Sequence, residues 1–322
     1  MIGIDVGGAN LKVADGRGIT SYYCPLYEGA PLARLLEQHR ARKTDPAAVV
    51  MSGELADCFS EKAEGIRFIF EAVRSVFPRA VFYGTDAAFH TGPVPQLAAA
   101  NWLAAVDFLK DRYPDAVLVD WGSTTTDIIP LNRFSDLSGM TDLSRLKKGY
   151  LLYTGLLRTT LPAVLRSVTI DGESVPVSAE YFAIAADAHL VLGHIGAEVY
   201  TCDTPDKKGT SREACLRRLS RVVCSDLAEV GEENACGIAA QFWETQRALI
   251  RASVARAVES SKASSIITAG IGSSLLAKEL DGTDLSRHLG PAAAALPAFA
   301  VREVALREAD QRELSRQRRG AR

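Results

Sequence analysis

The sequence predicts an α/β protein built from two similar halves, each a mixed sheet covered by helices, and three observations carry that prediction. The chain has 322 residues, which is room for two domains at about 150 residues each. Three consecutive β-type segments followed by alternating β and α units specify a mixed sheet in the first third of the chain. Near Ala116 the same opening begins again, as an apolar strand ending in an aspartate and a glycine turn.

Each element has its own signal. Ile2 to Val6 is a short apolar run ended by Gly7 and Gly8, and Leu11 to Ala14 and Ile19 to Cys24 continue the β pattern. Pro31 opens a helix over Leu32 to Arg42, and Ala48 to Met51 reads as a buried strand. Between Glu61 and Phe77 the residues Ile66, Ile69, Phe70, Val73 and Phe77 recur at helical spacing. Ala80 to Tyr83 is a strand, and Gln96 to Lys110 a helix with Leu97, Trp102, Leu103, Val106 and Leu109 on its apolar side. The order is βββαβαβα. The second copy opens with Ala116 to Asp120, turns at Gly122 and re-enters β structure at Thr124 to Ile129. Residues 134–234 read as an insertion, with helices at Ser178 to Leu192 and Ser211 to Leu227 and a polar loop at Tyr200 to Gly209. Leu249, Ile250, Val254 and Val258 mark a long helix, and Ser265 to Ala269 a last buried strand. The expected division is a first lobe over 1–113, a second over 114–300 and a charged tail over 301–322, read as a frayed helix.

Composition removes several function classes. The 37 Lys and Arg nearly balance the 39 Asp and Glu, for a net charge of -2, so broad electrostatic capture of nucleic acid is not expected. No uninterrupted apolar run reaches the ~18 residues of a membrane helix, and no basic segment precedes an apolar stretch at the start. The expectation is a cytoplasmic protein without a membrane partner. The six cysteines form no Cys-x-x-Cys pair and no Cys/His cluster at zinc spacing, which suits reduced structural thiols.

Three loops share one design, an apolar strand that stops at a glycine turn bearing hydroxyl or carboxylate groups. They are Asp5-Val6-Gly7-Gly8-Ala9-Asn10, Asp120-Trp121-Gly122-Ser123-Thr124-Thr125-Thr126-Asp127 and Thr268-Ala269-Gly270-Ile271-Gly272-Ser273. Glycine lets backbone N–H groups approach an anion, and Ser and Thr add hydroxyl donors, so phosphate is the natural guest. A lone glycine loop is more often a plain turn; three in this order, with acids at the first two, reverse those odds. Asp5 and Asp120 suit Mg²⁺ held through water, because Mg²⁺ keeps most of its hydration shell and is shared with substrate phosphates. Lys12 is either a point charge on the same phosphates or an exposed strand residue. No Gly-x-x-x-x-Gly-Lys-Ser/Thr sequence is present, and no Gly-x-Gly-x-x-Gly follows the first strand, which disfavours Walker-type NTPases and Rossmann dehydrogenases.

The three loops resemble the two phosphate motifs and the adenosine motif of the superfamily that contains actin, the heat-shock ATPase chaperones, sugar kinases and the hydantoinase/oxoprolinase proteins. The fold this implies is a duplicated ribonuclease-H-like (actin-like ATPase) fold, two lobes with a central cleft and an insertion in the second lobe. The first loop, Met51-Ser52-Gly53-Glu54-Leu55-Ala56-Asp57, Gly122 through Pro130, Tyr153-Thr154-Gly155-Leu156-Leu157-Arg158-Thr159 and Glu180-Tyr181-Phe182-Ala183 together resemble the hydantoinase/oxoprolinase-like proteins of the tetrahydromethanopterin-linked one-carbon pathway. That family includes a methanofuran-biosynthesis synthase, which joins an aminomethylfuran-methyl diphosphate to the phenol oxygen of γ-glutamyltyramine and releases diphosphate. One departure is Thr160-Leu161-Pro162 after Thr159, where the family more often has Pro directly after the Thr.

The resemblance implies that Gly7, Gly8, Asn10, Lys12, Gly122, Ser123, Thr124 and Thr125 hold a diphosphate, with Mg²⁺ on Asp5 and Asp120. The phenol nucleophile, ordinarily titrating near ~10, calls for a carboxylate base. Glu54 stands first, with Asp127 and Glu180 behind it; Asp127 is also a candidate metal ligand or turn cap. Arg158 either holds a carboxylate of the glutamyl acceptor or makes a surface ion pair. Gly270, Gly272 and Ser273 would take ATP in the alternative readings, a kinase or hydrolase on the same fold, or a nucleotide-binding regulator without chemistry. The partners implied are a small-molecule diphosphate and a phenolic acceptor; a homo-oligomer is left open. His90 receives no role, and His189 and His194, five residues apart, are not aligned for a metal pair. Trp102 and Trp243 read as core, with Trp121 the exception because it lies inside the second loop.

Overall fold

A computed structural model describes residues 1–40 and 46–320. The first sheet is built from β1 (Ile2–Val6), β2 (Asn10–Ala14), β3 (Ile19–Tyr23), β4 (Ala47–Met51), β5 (Val81–Tyr83) and β6 (Phe89–His90), in the order β3-β2-β1-β4-β5-β6. β1 pairs antiparallel with β2 and parallel with β4. The second sheet uses β7 (Ala116–Trp121), β8 (Thr126–Pro130) and β9 (Leu151–Leu152). β10 (Ser167–Ile170) and β11 (Glu173–Pro176) form a separate hairpin. β12 (Ser265–Ala269) and β13 (Thr283–Asp284) complete the second sheet in the order β13-β12-β7-β8-β9. Counting only the strands of each sheet, both carry the order third, second, first, fourth, fifth, and the first adds β6 as a sixth at its edge. The fold is the duplicated α/β architecture expected of an actin-like, ribonuclease-H-like protein.

Central strands β1 and β4 are buried at every position, which is why they read as unbroken apolar runs rather than alternating ones. Ile4, Val49, Ile69, Val73 and Phe82 join one core layer, and Leu103, Val106, Leu118, Ile129 and Ile267 another. β9 falls inside 134–234, so the segment expected to be an insertion contributes the third strand of the second sheet.

Several helix boundaries differ from the sequence expectation. The helix opened by Pro31 covers Leu32–Glu37; Ala41 and Arg42 lie outside the described residues. The helix expected from Gln96 begins at Asn101, after a 3-10 turn at Pro95–Leu97 and a left-handed Ala99 with φ 47°. Between Ser178 and Leu192 only Ala185–Val191 is helical, so Glu180 stands on an exposed loop. The helix expected at Ser211 to Leu227 ends at Arg221. The long helix marked by Leu249 and Val258 runs from Leu227 to Ser261 with a break at Gly231.

The tail is the largest correction. Residues Leu296–Gly320 form one helix, and Leu296, Ala298, Ala300, Val301, Val304 and Ala305 are buried. It lies so close to β1 that the Ala298 carbonyl occupies the space a side chain on Gly3 would need. Arg302 donates to the Met1 carbonyl at 3.1 Å, and Arg307 reaches the Asp107 carboxylate at 2.7 Å. A helix encoded beyond the second half thus closes the first sheet. The stretch Ser286–Ser315 is long and apolar enough by composition to cross a membrane, and 56% of its apolar window is buried inside the protein. The sequence pattern misses it because charged residues interrupt the run.

Candidate active site

The site is assembled from two equivalent turns. In the first half Gly7 N–H donates to the Asn10 carbonyl at 2.9 Å, closing the β1–β2 turn. In the second, Gly122 N–H donates to the Thr125 carbonyl at 3.0 Å, closing the β7–β8 turn. Each turn rests on a glycine from elsewhere in its own half. A side chain on Gly53 would meet the Gly7 carbonyl at 2.8 Å, and one on Gly155 would meet the Ser123 carbonyl at 2.5 Å. These two glycines permit backbone to pack on backbone, which fixes both turns from behind. Gly8 has open space around its missing side chain, and Gly122, Ser123, Thr124 and Thr125 are half-buried.

The carboxylates gather where the turns leave the sheets. Asp5 lies opposite Lys12 in the β1–β2 register, and Asp120 opposite Asp127 in the β7–β8 register. Asp5 is buried, and its Oδ1 has no hydrogen-bond partner. Burial pushes its carboxyl up to about 6, with Lys12 opposing and Asp127 reinforcing. Asp120 is pushed up to about 7, first by burial, then by Asp127, against Lys12 and with a further contribution from Asp5. These mutual effects place Asp5, Asp120, Asp127 and Lys12 in one electrostatic cluster formed by both halves. Lys12 Nζ donates to the Ala294 carbonyl at 3.2 Å, so it is anchored at the cluster rather than projecting from an exposed strand.

The three candidate bases have different surroundings. Asp127 is ion-paired with Arg145, which also meets Asp142 at 2.8 Å and lies 4.5 Å from the centre of the Trp102 ring. Burial still raises the Asp127 carboxyl, and Arg145 is the main opposing influence. Glu180 is exposed, and its backbone N–H donates to Ser178 Oγ at 3.2 Å. Glu54 is buried directly after Gly53, and its Oε2 has no partner. Burial raises its carboxyl above the usual range, against its own backbone amide, Lys62 and the backbone amide of the left-handed Ala99.

The third loop is packed rather than open. Gly270, at φ 85°, faces the Asp120 carboxylate and the Trp121 carbonyl, and Gly272 faces the Trp121 ring. Ser273 is buried, and its carbonyl accepts from Thr268 Oγ1 at 2.9 Å. Trp121, expected as a stacking platform, is instead completely buried and stacks on Trp243 with centroids 5.7 Å apart. Its position in β7 points the indole inward, under the loop. His189 packs edge-on against it at 5.4 Å and lies with its Nδ1 2.9 Å from His194 Nδ1. Burial and His194 push His189 down to about 3, and burial lowers the half-buried His194 as well. Among the described residues, no three His, Cys, Asp or Glu side chains converge to ligate a metal directly. His90 pairs with Asp86 at 3.0 Å.

Arg158 is tied to both turns. Its backbone N–H donates to the Ser123 carbonyl at 2.9 Å, and its guanidinium donates to the Tyr27 hydroxyl at 3.3 and 3.2 Å. Tyr27 sits on the 3-10 turn Leu26–Glu28, whose Leu26 N–H donates to the Gly8 carbonyl at 3.0 Å. Tyr27, Gly53 and Gly155 received no role from sequence alone. Both glycines lie in quoted motifs but at different places in the two halves, Gly53 after the fourth strand of the first sheet and Gly155 after the third strand of the second.

The family model Hydantoinase/oxoprolinase matches residues 45–308. The chain is 33% identical over 326 residues, 97% of its length and 99% of the relative's, to the (4-{4-[2-(γ-L-glutamylamino)ethyl]phenoxymethyl}furan-2-yl)methanamine synthase of Methanocaldococcus jannaschii. It is 39% identical over 162 residues to the synthase of the same name from Methanococcus vannielii, covering 50% of this chain and 73% of that one. Among solved structures, a nucleotide-free acetone carboxylase aligns over 93% of this chain and 69% of its own, at 11% identity and TM-score 0.49. With the family model matched over residues 45–308 and the M. jannaschii synthase matched along 97% of the chain, the chain belongs to the hydantoinase/oxoprolinase family.

Proposed function

We propose that this chain is a transferase of methanofuran-type cofactor biosynthesis, joining an aminomethylfuran-methyl diphosphate to the phenol oxygen of a γ-glutamyl-tyramine-type acceptor and releasing diphosphate. The observation that carries the reading is the 33% identity to the M. jannaschii synthase along 97% of the chain, on a site whose paired turns suit a diphosphate. In this reaction the phenol proton passes to a base, the phenolate oxygen attacks the furfuryl carbon, and the electron pair of the breaking C–O bond leaves with the diphosphate.

With Gly7 N–H committed to the Asn10 carbonyl, the backbone N–H groups of Gly8, Ser123, Thr124 and Thr125 and the hydroxyls of the last three would be the donors for the accumulating charge. Asp5 and Asp120 would hold Mg²⁺: the unpartnered Asp5 Oδ1 and the crowded acids of the cluster are a hard, oxygen-only donor set short of positive charge. When bound, Mg²⁺ supplies charge neutralisation to the leaving diphosphate. Lys12 adds the fixed cation.

Glu54 is the base. Its buried, unpartnered oxygen and its proton affinity, raised by burial, suit accepting a proton. Asp127, already committed to Arg145, serves to orient that arginine against the cluster, and the exposed Glu180 is the weakest of the three. The packed glycines of the third loop are explained by Asp120 and Trp121 without a nucleotide.

The test is to incubate the protein with the furfuryl diphosphate, the phenolic acceptor and Mg²⁺, following diphosphate release and the product mass, with ATP in parallel. Ether formation and release that depends on the acceptor are expected. Phosphate from ATP with no ether would move the chain to the kinase or hydrolase class.

A further inference from the structure

A second recognition site adjoins the diphosphate turns, and the groups that build it come from both halves. Arg158 is half-buried, and the only hydrogen-bond partner of its guanidinium among the described residues is the Tyr27 hydroxyl, a neutral group. The Tyr27 ring also lies 5.7 Å from the guanidinium carbon. A guanidinium partly withdrawn from water normally finds a carboxylate or phosphate to match its planar fork. Here none is supplied by the described residues, and the phenol fills the place.

The surroundings say which anion fits. Tyr27 Oη lies 3.4 Å from Tyr23 Oη, and Tyr23 Oη donates to Asp203 at 3.3 Å. Burial first, then Tyr27, Asp203 and Glu28, keep the Tyr23 hydroxyl protonated. Tyr181 is 54% exposed, and burial of its hydroxyl, then Cys202, raises its proton affinity against Arg158. The patch is therefore one guanidinium among tyrosine faces, with the carboxylates Asp203 and Glu28 at its edge. A multiply charged diphosphate is repelled by those acids. A single carboxylate beside an ammonium, attached to an aromatic ring, meets a complementary partner at each point.

The loop that carries Asp203 is held from below. Arg218, fully buried, donates through Nε to Asp187 at 2.9 Å and through Nη1 to Asp206 at 3.0 Å, and Tyr200 Oη donates to Asp187 at 2.9 Å. The polar loop at Tyr200 to Gly209 is thus fixed against the second half with Asp203 turned toward Tyr23 of the first.

We infer that Arg158, with Tyr27, Tyr23 and Tyr181 around it and Asp203 at its edge, forms a subsite for the α-amino carboxylate end of the phenolic acceptor, the carboxylate replacing the Tyr27 hydroxyl on the guanidinium. This rests on the synthase reading for the identity of the acceptor. Because Arg158 and Leu26, the residue before Tyr27, are each hydrogen-bonded through the backbone to one of the two turns, an occupant here lies next to the diphosphate. The subsite selects the acceptor by its anionic end and leaves its phenol to face the furfuryl carbon.

Titration calorimetry on the full chain tests it, with γ-glutamyl-tyramine, tyramine and Mg²⁺-pyrophosphate as separate probes. The wild type binds γ-glutamyl-tyramine at least roughly tenfold more tightly than tyramine, the scale of one charge-assisted contact. Arg158→Met weakens γ-glutamyl-tyramine by about 10- to 100-fold while leaving tyramine and pyrophosphate little changed, and Arg158→Lys recovers part of the loss. Should Arg158→Met fail to fold, the wild-type preference between the two acceptors decides alone. A wild type that does not discriminate, or a loss confined to pyrophosphate, overturns the subsite. The ether assay separates this from the synthase reading: discrimination without ether keeps the subsite and loses that reading, and ether without discrimination does the reverse.

Discussion

The two turns share a scaffold and differ in what lies behind them. Behind the β1–β2 turn stands Glu54, buried with an oxygen that has no partner. Behind the β7–β8 turn lies a closed neutral network. Gln246 Nε2 donates to Thr154 Oγ1 at 2.8 Å and to the Gly155 carbonyl at 2.9 Å, Thr159 Oγ1 accepts from Gly155 N–H at 2.8 Å, and Gln246 Oε1 meets His189 Nε2 at 2.9 Å. These side chains answer one another, which rigidifies the turn. The duplication supplies two turns of one backbone design, and the difference is a buried carboxylate behind the first and a neutral amide and hydroxyl network behind the second.

Breaking the shared element has the largest effect. Asp5→Asn and Asp120→Asn should each lower Mg²⁺-dependent turnover at least roughly 100-fold with the fold intact. Their stability should move the other way. Both carboxyls titrate in the folded protein above the ordinary 3.8, at about 6 and about 7. The folded state therefore holds more protons between those values, and metal-free stability falls as pH rises through that window. Thermal melts of the Asn variants at pH 8 should lie above wild type, and Mg²⁺ affinity of the wild type should climb between pH 5 and pH 8 on the order of the same titrations.

Removing the first half's distinctive group comes next. Glu54→Gln should lower kcat by roughly 10²- to 10⁴-fold with the melting temperature unchanged or higher, since the carboxyl has an unanswered oxygen to lose. The same kind of change in the second half should act on stability instead. Gln246→Ala leaves His189 Nε2 without its partner and takes one of two hydrogen bonds from the Thr154 hydroxyl, at about 1–3 kcal/mol by urea unfolding. His189 sits at about 3 when folded, below its ordinary 6.5, so the unfolded state takes up the proton first and stability falls as pH drops below about 6.5. A His189→Gln variant should flatten that slope. The smallest effects separate the glycines. Gly53→Ala drives into the first turn, a cost of about 1–3 kcal/mol, whereas Gly8→Ala meets open space and should leave stability within about 0.5 kcal/mol while weakening diphosphate binding.

The duplication was legible because buried parallel strands show as apolar runs and the two openings repeat. Asp5, Asp120 and the glycines of both turns were legible for the same reason, lying at strand ends. The rest depends on contacts distant in the chain. Nothing local marks Leu296–Gly320 as the cover of the first sheet, since its partner β1 is about 300 residues away in sequence. The same holds for Tyr27 and Arg158, 131 residues apart, and for Trp121, whose inward direction follows from the pleat of β7 and the ring of Trp243. Asp127 looked like a free carboxylate because its arginine arrives from the helix Asp142–Lys148.

The central claim is that each half gives one carboxylate to a single diphosphate site. Calorimetric titration of pyrophosphate with and without Mg²⁺, on wild type, Asp5→Asn and Asp120→Asn, tests it most directly. Binding that needs Mg²⁺ and is lost in either variant is the predicted result; Mg²⁺-dependent binding that survives in either one contradicts it.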